Sequence, residues 1–214
     1  MNHDKPSPPR RLDSPGFTLI ELLVVIAIIA LLATLVMSLL PRANDMKVRT
    51  RVKAELAQVE TVIELYKEKK GFYPPDNPMD PSHSPLYYEL LGTRFDVPTG
   101  SYTTLNGATT FPANKFDIAF NPPAAGGGFI NSNAKADDAQ NFFNYLKDNQ
   151  FSTNVISAYP PARVLGISIK GPSGDFCPYF YNSSNPTHNP NSYDLWVDVS
   201  LNGKTQTFGN WKKD

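Results

Sequence analysis

An unbroken apolar run near the N-terminus is the strongest pattern in the chain. Residues 17–40 contain a single ionisable side chain, Glu21, and no polar stripe. A helix over this range would span roughly 36 Å, which exceeds the hydrocarbon core of a bilayer, about 30 Å. A core helix of a small domain would need a polar face, and a secretory signal would need a shorter run followed by a small-x-small cleavage site. We therefore predict a retained transmembrane helix over residues 17–40.

The segment before this run has a different composition. Residues 1–16 are rich in proline and carry Lys5, Arg10 and Arg11. Proline lacks the backbone donor and clashes with the preceding turn, so no stable helix is expected here. We interpret residues 1–16 as a leader peptide on the cytoplasmic side rather than as part of the fold.

Beyond the apolar run, the pattern becomes that of an amphipathic helix. Apolar residues recur at spacings of three and four, which is the period of one helix face. The members of this stripe are Val48, Val52, Leu56, Val59, Ile63 and Tyr66. Lys69, Lys70 and Gly71 are typical of a helix C-terminus. We predict that the helix continues over residues 41–70, with a kink at Pro41, and that the C-terminal domain covers its stripe.

Residues 71–214 have the mixed pattern of a small α+β domain. Proline makes residues 72–85 an irregular connection, and the stretch from 93 to 136 has mainly the composition of a loop. The remaining pattern predicts a helix at 86–91 ended by Gly92, a possible strand at 115–120, a helix at 137–148, strands at 163–170 and 178–181, and a final hairpin. The expected fold class is therefore α+β, with a long N-terminal helix packed on a small antiparallel sheet.

The final hairpin is the clearest element of this domain. Apolar residues alternate with more polar ones at Leu195, Val197, Val199 and Leu201. Asn202-Gly203 then supplies a two-residue turn, and residues 204–208 return.

Charge and cysteine content exclude several classes of function. Twenty basic residues balance twenty acidic ones, whereas a general nucleic-acid binder would show a basic excess. The single cysteine, Cys177, excludes an internal disulfide and a cysteine-based metal cluster, and we expect a buried, inert thiol. His3, His83 and His188 lie in segments rich in proline and asparagine, where exposed loop histidines are expected. No pattern predicts a catalytic residue, so the chain is not expected to be an enzyme.

Glu21 is the unusual residue of the apolar run. A carboxylate at mid-bilayer costs about 2.5–3.5 kcal/mol on the insertion scale, although the position near the start of the helix would reduce this cost. If the chain began at Phe17, its new α-amino group would be a cation within the same layer. The amine of a neighbouring subunit could then pair with Glu21 and set the register of parallel helices.

The start of the apolar run also carries a resemblance. Residues 16–27, which read GFTLIELLVVIA, resemble the prepilin cleavage and methylation motif of type IV pilins and of type II secretion pseudopilins. The resemblance implies that a prepilin peptidase cleaves after Gly16 and methylates Phe17, and that Glu21 acts in subunit assembly. It also implies a single-pass protein of the inner membrane with its C-terminal domain in the periplasm. Lys and Arg are more numerous after the run than before it, which by the positive-inside rule favours the opposite orientation.

The C-terminal part extends the resemblance to the major pseudopilin of type II secretion. The similar segments are Gly71–Pro74 with Leu86 and Leu90, Tyr193–Trp196, Asn202-Gly203 and Gly209–Trp211. In that family the last loop binds calcium, but here Asn202 replaces the usual Asp and residues 204–208 hold no carboxylate. We therefore predict no metal and no other cofactor. Many type IV pilins close a C-terminal loop with a disulfide, so the single cysteine favours the pseudopilin branch.

The resemblance implies a structural role in a filament. The expected function is that of a pseudopilin subunit in a type II secretion system. The expected partners are other pseudopilins, the prepilin peptidase, and indirectly the assembly platform and its ATPase. Two alternatives remain open: a type IV pilus subunit for adhesion, motility or DNA uptake, and a membrane-anchored extracytoplasmic binding module that uses the stretch from 93 to 163.

Overall fold

The computed structural model describes residues 16–120, 127–133, 139–153 and 161–212, with side chains throughout except at residues 37–43. The chain divides into two compact units, Met1–Met46 and Lys47–Asp214. The first helix, α1 (Leu19–Lys70), contributes to both units.

The part of α1 in the first unit has no polar face. Every described side chain from Phe17 to Val36 is exposed. In the described part of the chain, one helix is long and apolar enough to cross a membrane, over Leu19–Val36, with a mean hydropathy of 3.0 and no residue buried. A core helix of a soluble domain would bury these side chains. The backbone stays helical through Pro41, so the proline does not end the helix.

The part of α1 in the second unit packs one face into the core of that unit. The predicted stripe is buried from Val52 to Tyr66, and Val48 packs partly against it. Full burial of an aliphatic side chain contributes about 1.5–3 kcal/mol. Two hydrogen bonds also join this part of α1 to the rest of the second unit. Arg51 donates to the carbonyl of Ser168 (3.4 Å), and the side chain of Gln150 donates to the side chain of Gln58 (3.1 Å). The predicted cover of the stripe by the C-terminal domain is confirmed.

The short helix α2 (Leu86–Leu91) also agrees with the prediction. All six of its side chains are buried, and the helix ends at Gly92. The backbone of Gly92 has φ 67° and ψ 152°, a region that is essentially restricted to glycine.

Three small sheets form the rest of the described domain. Most neighbouring strands are antiparallel, and only β1 and β4 are parallel. The first sheet has the order β3-β2-β1-β4, with β1 (Thr93–Asp96), β2 (Ser101–Thr104), β3 (Thr110–Pro112) and β4 (Ser132–Asn133). The second has β5 (Phe151–Thr153), β6 (Arg163–Ile167) and β7 (Cys177–Pro178) in that order. The third has the order β10-β9-β8, with β8 (Phe180–Asn182), β9 (Asp194–Leu201) and β10 (Lys204–Gly209). The α+β arrangement expected from the sequence is confirmed.

The first sheet corrects the prediction of a loop from 93 to 136. Its strands have two to four residues, which is too short for a visible alternation of apolar and polar positions. A cluster of aromatic rings stabilises this region instead. Tyr88, Phe111, Phe116, Phe120 and Phe129 contact one another with ring centroids 4.5–6.0 Å apart.

Two further predictions in this region are wrong. The expected strand at 115–120 is the helix α3 (Phe116–Phe120), which buries Phe116, Ala119 and Phe120 at helical spacing. The expected helix at 137–148 is irregular over residues 139–147 of its described part. There the side chain of Asn141 accepts a hydrogen bond from the backbone N–H of Phe143 (2.9 Å), and such local bonds compete with a helix. The turns Pro81–His83, Ala113–Lys115 and Asp148–Gln150 are 3₁₀-helical.

The final hairpin has the predicted register and turn. Leu195, Val197, Val199 and Leu201 face the core, and Asn202 and Gly203 both have positive φ. Pairing runs from Lys204 opposite Leu201 to Gly209 opposite Trp196. The predicted strands at 163–170 and 178–181 correspond to β6 and β8.

The histidines and the cysteine have distinct environments. His83 is buried and stacks on Phe120 with centroids 5.7 Å apart, so the expectation of an exposed loop histidine is wrong for this residue. Burial lowers the pKa of His83, although Asp80 acts in the opposite direction. His188 is half-exposed and stacks on Trp211 at 3.8 Å, and His3 lies outside the described residues. Cys177 is buried as predicted, and burial raises the pKa of its thiol to about 11.

Substitution of Gly92 by alanine is expected to lower the free energy of unfolding by about 1–3 kcal/mol. A Cβ atom at this position would lie 2.6 Å from the carbonyl oxygen of Gln140, and its φ is disfavoured for any L side chain. Gly107→Ala is the matched control, because Gly107 has a similar φ of 70° and no atom within 4 Å of the added Cβ. Urea unfolding followed by tryptophan fluorescence would measure both changes. Equal losses in the two variants would contradict the role of the Gln140 contact.

Candidate functional site

The predicted site residues lie at the start of α1. Gly16 and Phe17 precede the helix, which begins at Leu19 rather than at the predicted Phe17. Thr18 occupies the position before the first helical residue, where a threonine hydroxyl can satisfy a free backbone N–H. The structure therefore brings Thr18 and Glu21 together at the start of α1, with Phe17 directly before them in the chain.

Thr18 and Glu21 form a reciprocal capping box. The Glu21 carboxylate oxygen Oε2 accepts hydrogen bonds from the Thr18 backbone N–H (2.8 Å) and from its hydroxyl (2.7 Å). In return, the Glu21 backbone N–H donates to the Thr18 hydroxyl (3.3 Å). Such a pair satisfies two donors at the helix start and favours a negative charge at the positive end of the dipole.

The geometry leaves Glu21 able to accept a further donor. Both Thr18 bonds reach Oε2, and no described residue donates a hydrogen bond to Oε1. Glu21 and its neighbours on the helix are exposed. The carboxylate can therefore cap its own helix and still contact a cation from another molecule.

Gly16 is not required by the fold. A Cβ atom added at Gly16 would have no atom of the described residues within 4 Å apart from its chain neighbours, and its φ is not in the left-handed region. Phe17 is 80% exposed and packs against no core residue. The packing of the described residues therefore does not require glycine at position 16 or phenylalanine at position 17.

Sequence reasoning missed Thr18 as a member of this site. The signal was present, because a threonine followed three residues later by a glutamate before an apolar run is the pattern of a capping box.

The C-terminal hairpin is the other candidate site, for a calcium ion. Thr207 on β10 donates to the Asp198 carboxylate on β9 (2.6 Å). Asp194 is buried and accepts backbone hydrogen bonds from Thr187, His188 and Asn189 (2.8–2.9 Å). Burial alone would raise the pKa of Asp194, but these bonds and the His188 ring hold it below its usual value. Among the described residues, no group of three or more His, Cys, Asp or Glu side chains could hold a metal ion.

Comparison with known proteins gives two matches. The family model described as the prokaryotic N-terminal methylation motif matches residues 13–37. Type II secretion system core protein G from Klebsiella michiganensis is 37% identical over 65 residues, which are 30% of this chain and 46% of that protein. The chain therefore spans less than half the length of this curated relative. No solved structure gives a significant match.

The family model defines the N-terminal segment as one with a methylation motif of the prepilin type. Together the two matches support the type IV pilin and pseudopilin family, as the motif at residues 16–27 predicts. The exposed apolar helix and the likeness to this family fit a membrane-anchored, single-pass protein.

Proposed function

We propose that this protein is a filament subunit, specifically a pseudopilin of a type II secretion system. The observation that carries the proposal is the methylation motif at residues 13–37, which includes a fully exposed apolar helix segment, Leu19–Val36, with one carboxylate. The partial match to core protein G favours the secretion system over a type IV pilus. The role is structural, and the energy for assembly comes from the assembly ATPase acting through the platform protein.

Processing of the N-terminus is the first step of the proposed function. A prepilin peptidase removes residues 1–16 by cleaving after Gly16, and it methylates the new amine of Phe17. The transmembrane helix, residues 17–40, anchors the chain in the inner membrane. Residues 41–70 continue the helix, and residues 71–214 form the globular domain in the periplasm.

Assembly then depends on an interaction between subunits. In a parallel bundle of α1 helices, the Phe17 amine of one subunit meets the Glu21 carboxylate of another. Each charge removes the cost of burying the other, and the pairing fixes the axial register of the helices. The open Oε1 atom of Glu21 provides an acceptor for this contact without loss of the Thr18 cap.

Mass spectrometry of the protein from its native host tests the processing step. We expect a mature chain that begins with methylated Phe17. Gly16→Val is expected to block cleavage, because a branched side chain would crowd the peptidase pocket, while helix content stays unchanged since no atom lies within 4 Å of its Cβ. Gly16→Ala is the graded control with a smaller side chain. A working protein that retains residues 1–16 would refute the proposal.

Deletion of the gene in the native host separates the two filament systems. Loss of exoprotein secretion with normal surface pili is expected for a pseudopilin. Loss of pili with normal secretion would instead identify a type IV pilus subunit.

A further inference from the structure

The outer face of the third sheet carries a row of aromatic rings. Side chains of β9 alternate between the core and the outer face, and Trp196 lies on the outer face. Phe180, its pairing partner on β8, stacks on Trp196 with ring centroids 5.1 Å apart. Gly209, its pairing partner on β10, has no side chain, and a Cβ atom there would lie 2.8 Å from the ring of Trp211. Glycine therefore leaves room for Trp211, whose ring centroid lies 5.8 Å from that of Trp196.

The polar loop between β8 and β9 borders the same rings. His188 in this loop stacks on Trp211 with centroids 3.8 Å apart and an interplanar angle of 3°. The side chain of Asp194 is only 3% exposed, and its Oδ2 atom accepts the backbone N–H of Thr187 (2.8 Å) and of His188 (2.9 Å). Its Oδ1 atom accepts the N–H of Asn189 (2.9 Å), and no other described residue donates to it. Oδ1 can therefore accept a further hydrogen bond.

The rings and the loop line a cavity of about 450 Å³. This volume falls within the range of small-molecule sites, which combine apolar walls with a few polar groups. Trp196 and Trp211 supply the apolar wall, and Asn182, Asp194 and Lys212 supply an amide, a carboxylate and an ammonium group. The charges of Asp194 and Lys212 offset each other, so the cavity favours a neutral ligand over an ion.

We propose that this cavity binds a neutral pyranose sugar, whose ring stacks on Trp196 and whose hydroxyls bond to Asp194 and Asn182. Phe180 covers one face of the Trp196 ring and does not line the cavity, so the opposite face is available to a ligand. One face of a pyranose presents C–H groups, which are attracted by the negative face of an aromatic ring. Its hydroxyls both donate and accept, which matches a carboxylate and an amide, whereas a purely apolar ligand would cover these groups without bonding to them.

The site can be tested apart from the filament role, because it lies wholly in the second unit. The chain has two tryptophans, and both line the cavity, so intrinsic tryptophan fluorescence reports on this site. A pyranose has about a dozen non-hydrogen atoms, and the usual ligand efficiency then gives a Kd on the order of 1 mM.

A fluorescence titration of the full-length protein tests the proposal. The micelles should consist of a zwitterionic detergent, because a detergent with a sugar headgroup would compete for the site. The probes are the methyl glycosides of glucose, galactose, mannose and N-acetylglucosamine, and cyclohexanol is the control that keeps the ring size but has a single hydroxyl. We expect a saturable change with at least one glycoside, with a Kd on the order of 1 mM. No saturable change with any of them, or equally tight binding of cyclohexanol, would overturn the proposal.

Trp196→Ala removes the stacking surface and is expected to weaken binding by about 10-fold or more. Saturation-transfer NMR on the sugar would measure this change without relying on the lost fluorophore. Tyr145→Ala is the matched control, because Tyr145 is an aromatic residue that is 84% exposed and lies outside the cavity wall, so the Kd should not change. Binding that persists in Trp196→Ala, or that is lost equally in Tyr145→Ala, would contradict stacking in this cavity.

Gly209→Ala serves as a second variant if Trp196→Ala does not fold. It keeps every residue of the cavity wall, and φ at Gly209 is not in the left-handed region, so the backbone accepts alanine. The added Cβ would displace the half-exposed ring of Trp211, and the Kd should rise several-fold. An unchanged Kd in Gly209→Ala would show that Trp211 does not shape a sugar site and would overturn the proposal.

Discussion

Substitution of Glu21 by glutamine is expected to leave the protein in the membrane and to abolish filament assembly. Glutamine keeps the size of the side chain and one acceptor for Thr18, but it removes the charge that the Phe17 amine of a neighbour requires. Loss of one partner of a buried ion pair costs about 3–5 kcal/mol, which corresponds to a reduction of assembly by roughly 100-fold or more. Membrane insertion should not suffer, because a charged group is removed from the apolar segment.

Thr18→Val is the matched control for this prediction. Valine has nearly the shape of threonine, and it removes the hydroxyl bonds of the capping box while the Glu21 charge remains. Membrane fractionation and electron microscopy of sheared filaments would measure insertion and assembly in both variants. If Glu21→Gln assembled normal filaments while Thr18→Val did not, the cap rather than the ion pair would be the essential contact.

Ile63→Ala is expected to cause a large loss of stability through truncation of the stripe of α1. Ile63 is fully buried, and truncation of such a side chain leaves a cavity in the core that costs about 2–5 kcal/mol. Leu65→Ala is the control on the same helix, since Leu65 is 43% exposed and should change the free energy of unfolding by much less.

Urea unfolding of the full-length protein in micelles, followed by tryptophan fluorescence, would measure both variants. The midpoint should fall for Ile63→Ala and remain nearly unchanged for Leu65→Ala. Equal midpoints would mean that the stripe does not contribute to the cooperative core of the second unit.

The elements predicted correctly are those whose sequence pattern repeats over many residues or is completed by residues close together in the chain. The stripe of α1 repeats over many turns, α2 ends at a glycine, and the final hairpin combines strict alternation with an Asn-Gly turn. The site residues Gly16, Phe17 and Glu21 came from an ordered motif that a family model also matches. Cleavage and pairing at these residues remain predictions.

The elements predicted wrongly depend on contacts between distant residues. The strands of the first sheet are too short to carry a period, and Phe129 joins an aromatic cluster formed by residues from three other segments. His83 is buried only because the chain brings Phe120 against its ring. Burial of a polar residue by a distant partner leaves no local signal in the sequence.

Glu89 illustrates the same limit at a polar site. An acid inside the apolar helix sequence LYYELL is unusual, but the sequence does not reveal its partners. Its donors at Ile130 and Asn131 follow some forty positions later in the chain. Only the tertiary structure brings them within hydrogen-bond distance.

The boundary between the two compact units, at Met46 and Lys47, lies within a helix rather than in a loop. The stripe residues that stabilise the second unit, from Val48 to Tyr66, all follow this boundary. Cleavage of the backbone just upstream of Lys47 would therefore release a second unit that keeps all of the core side chains among the described residues. In the proposed filament, the remaining N-terminal fragment would retain Phe17 and Glu21 and would keep its place among intact subunits.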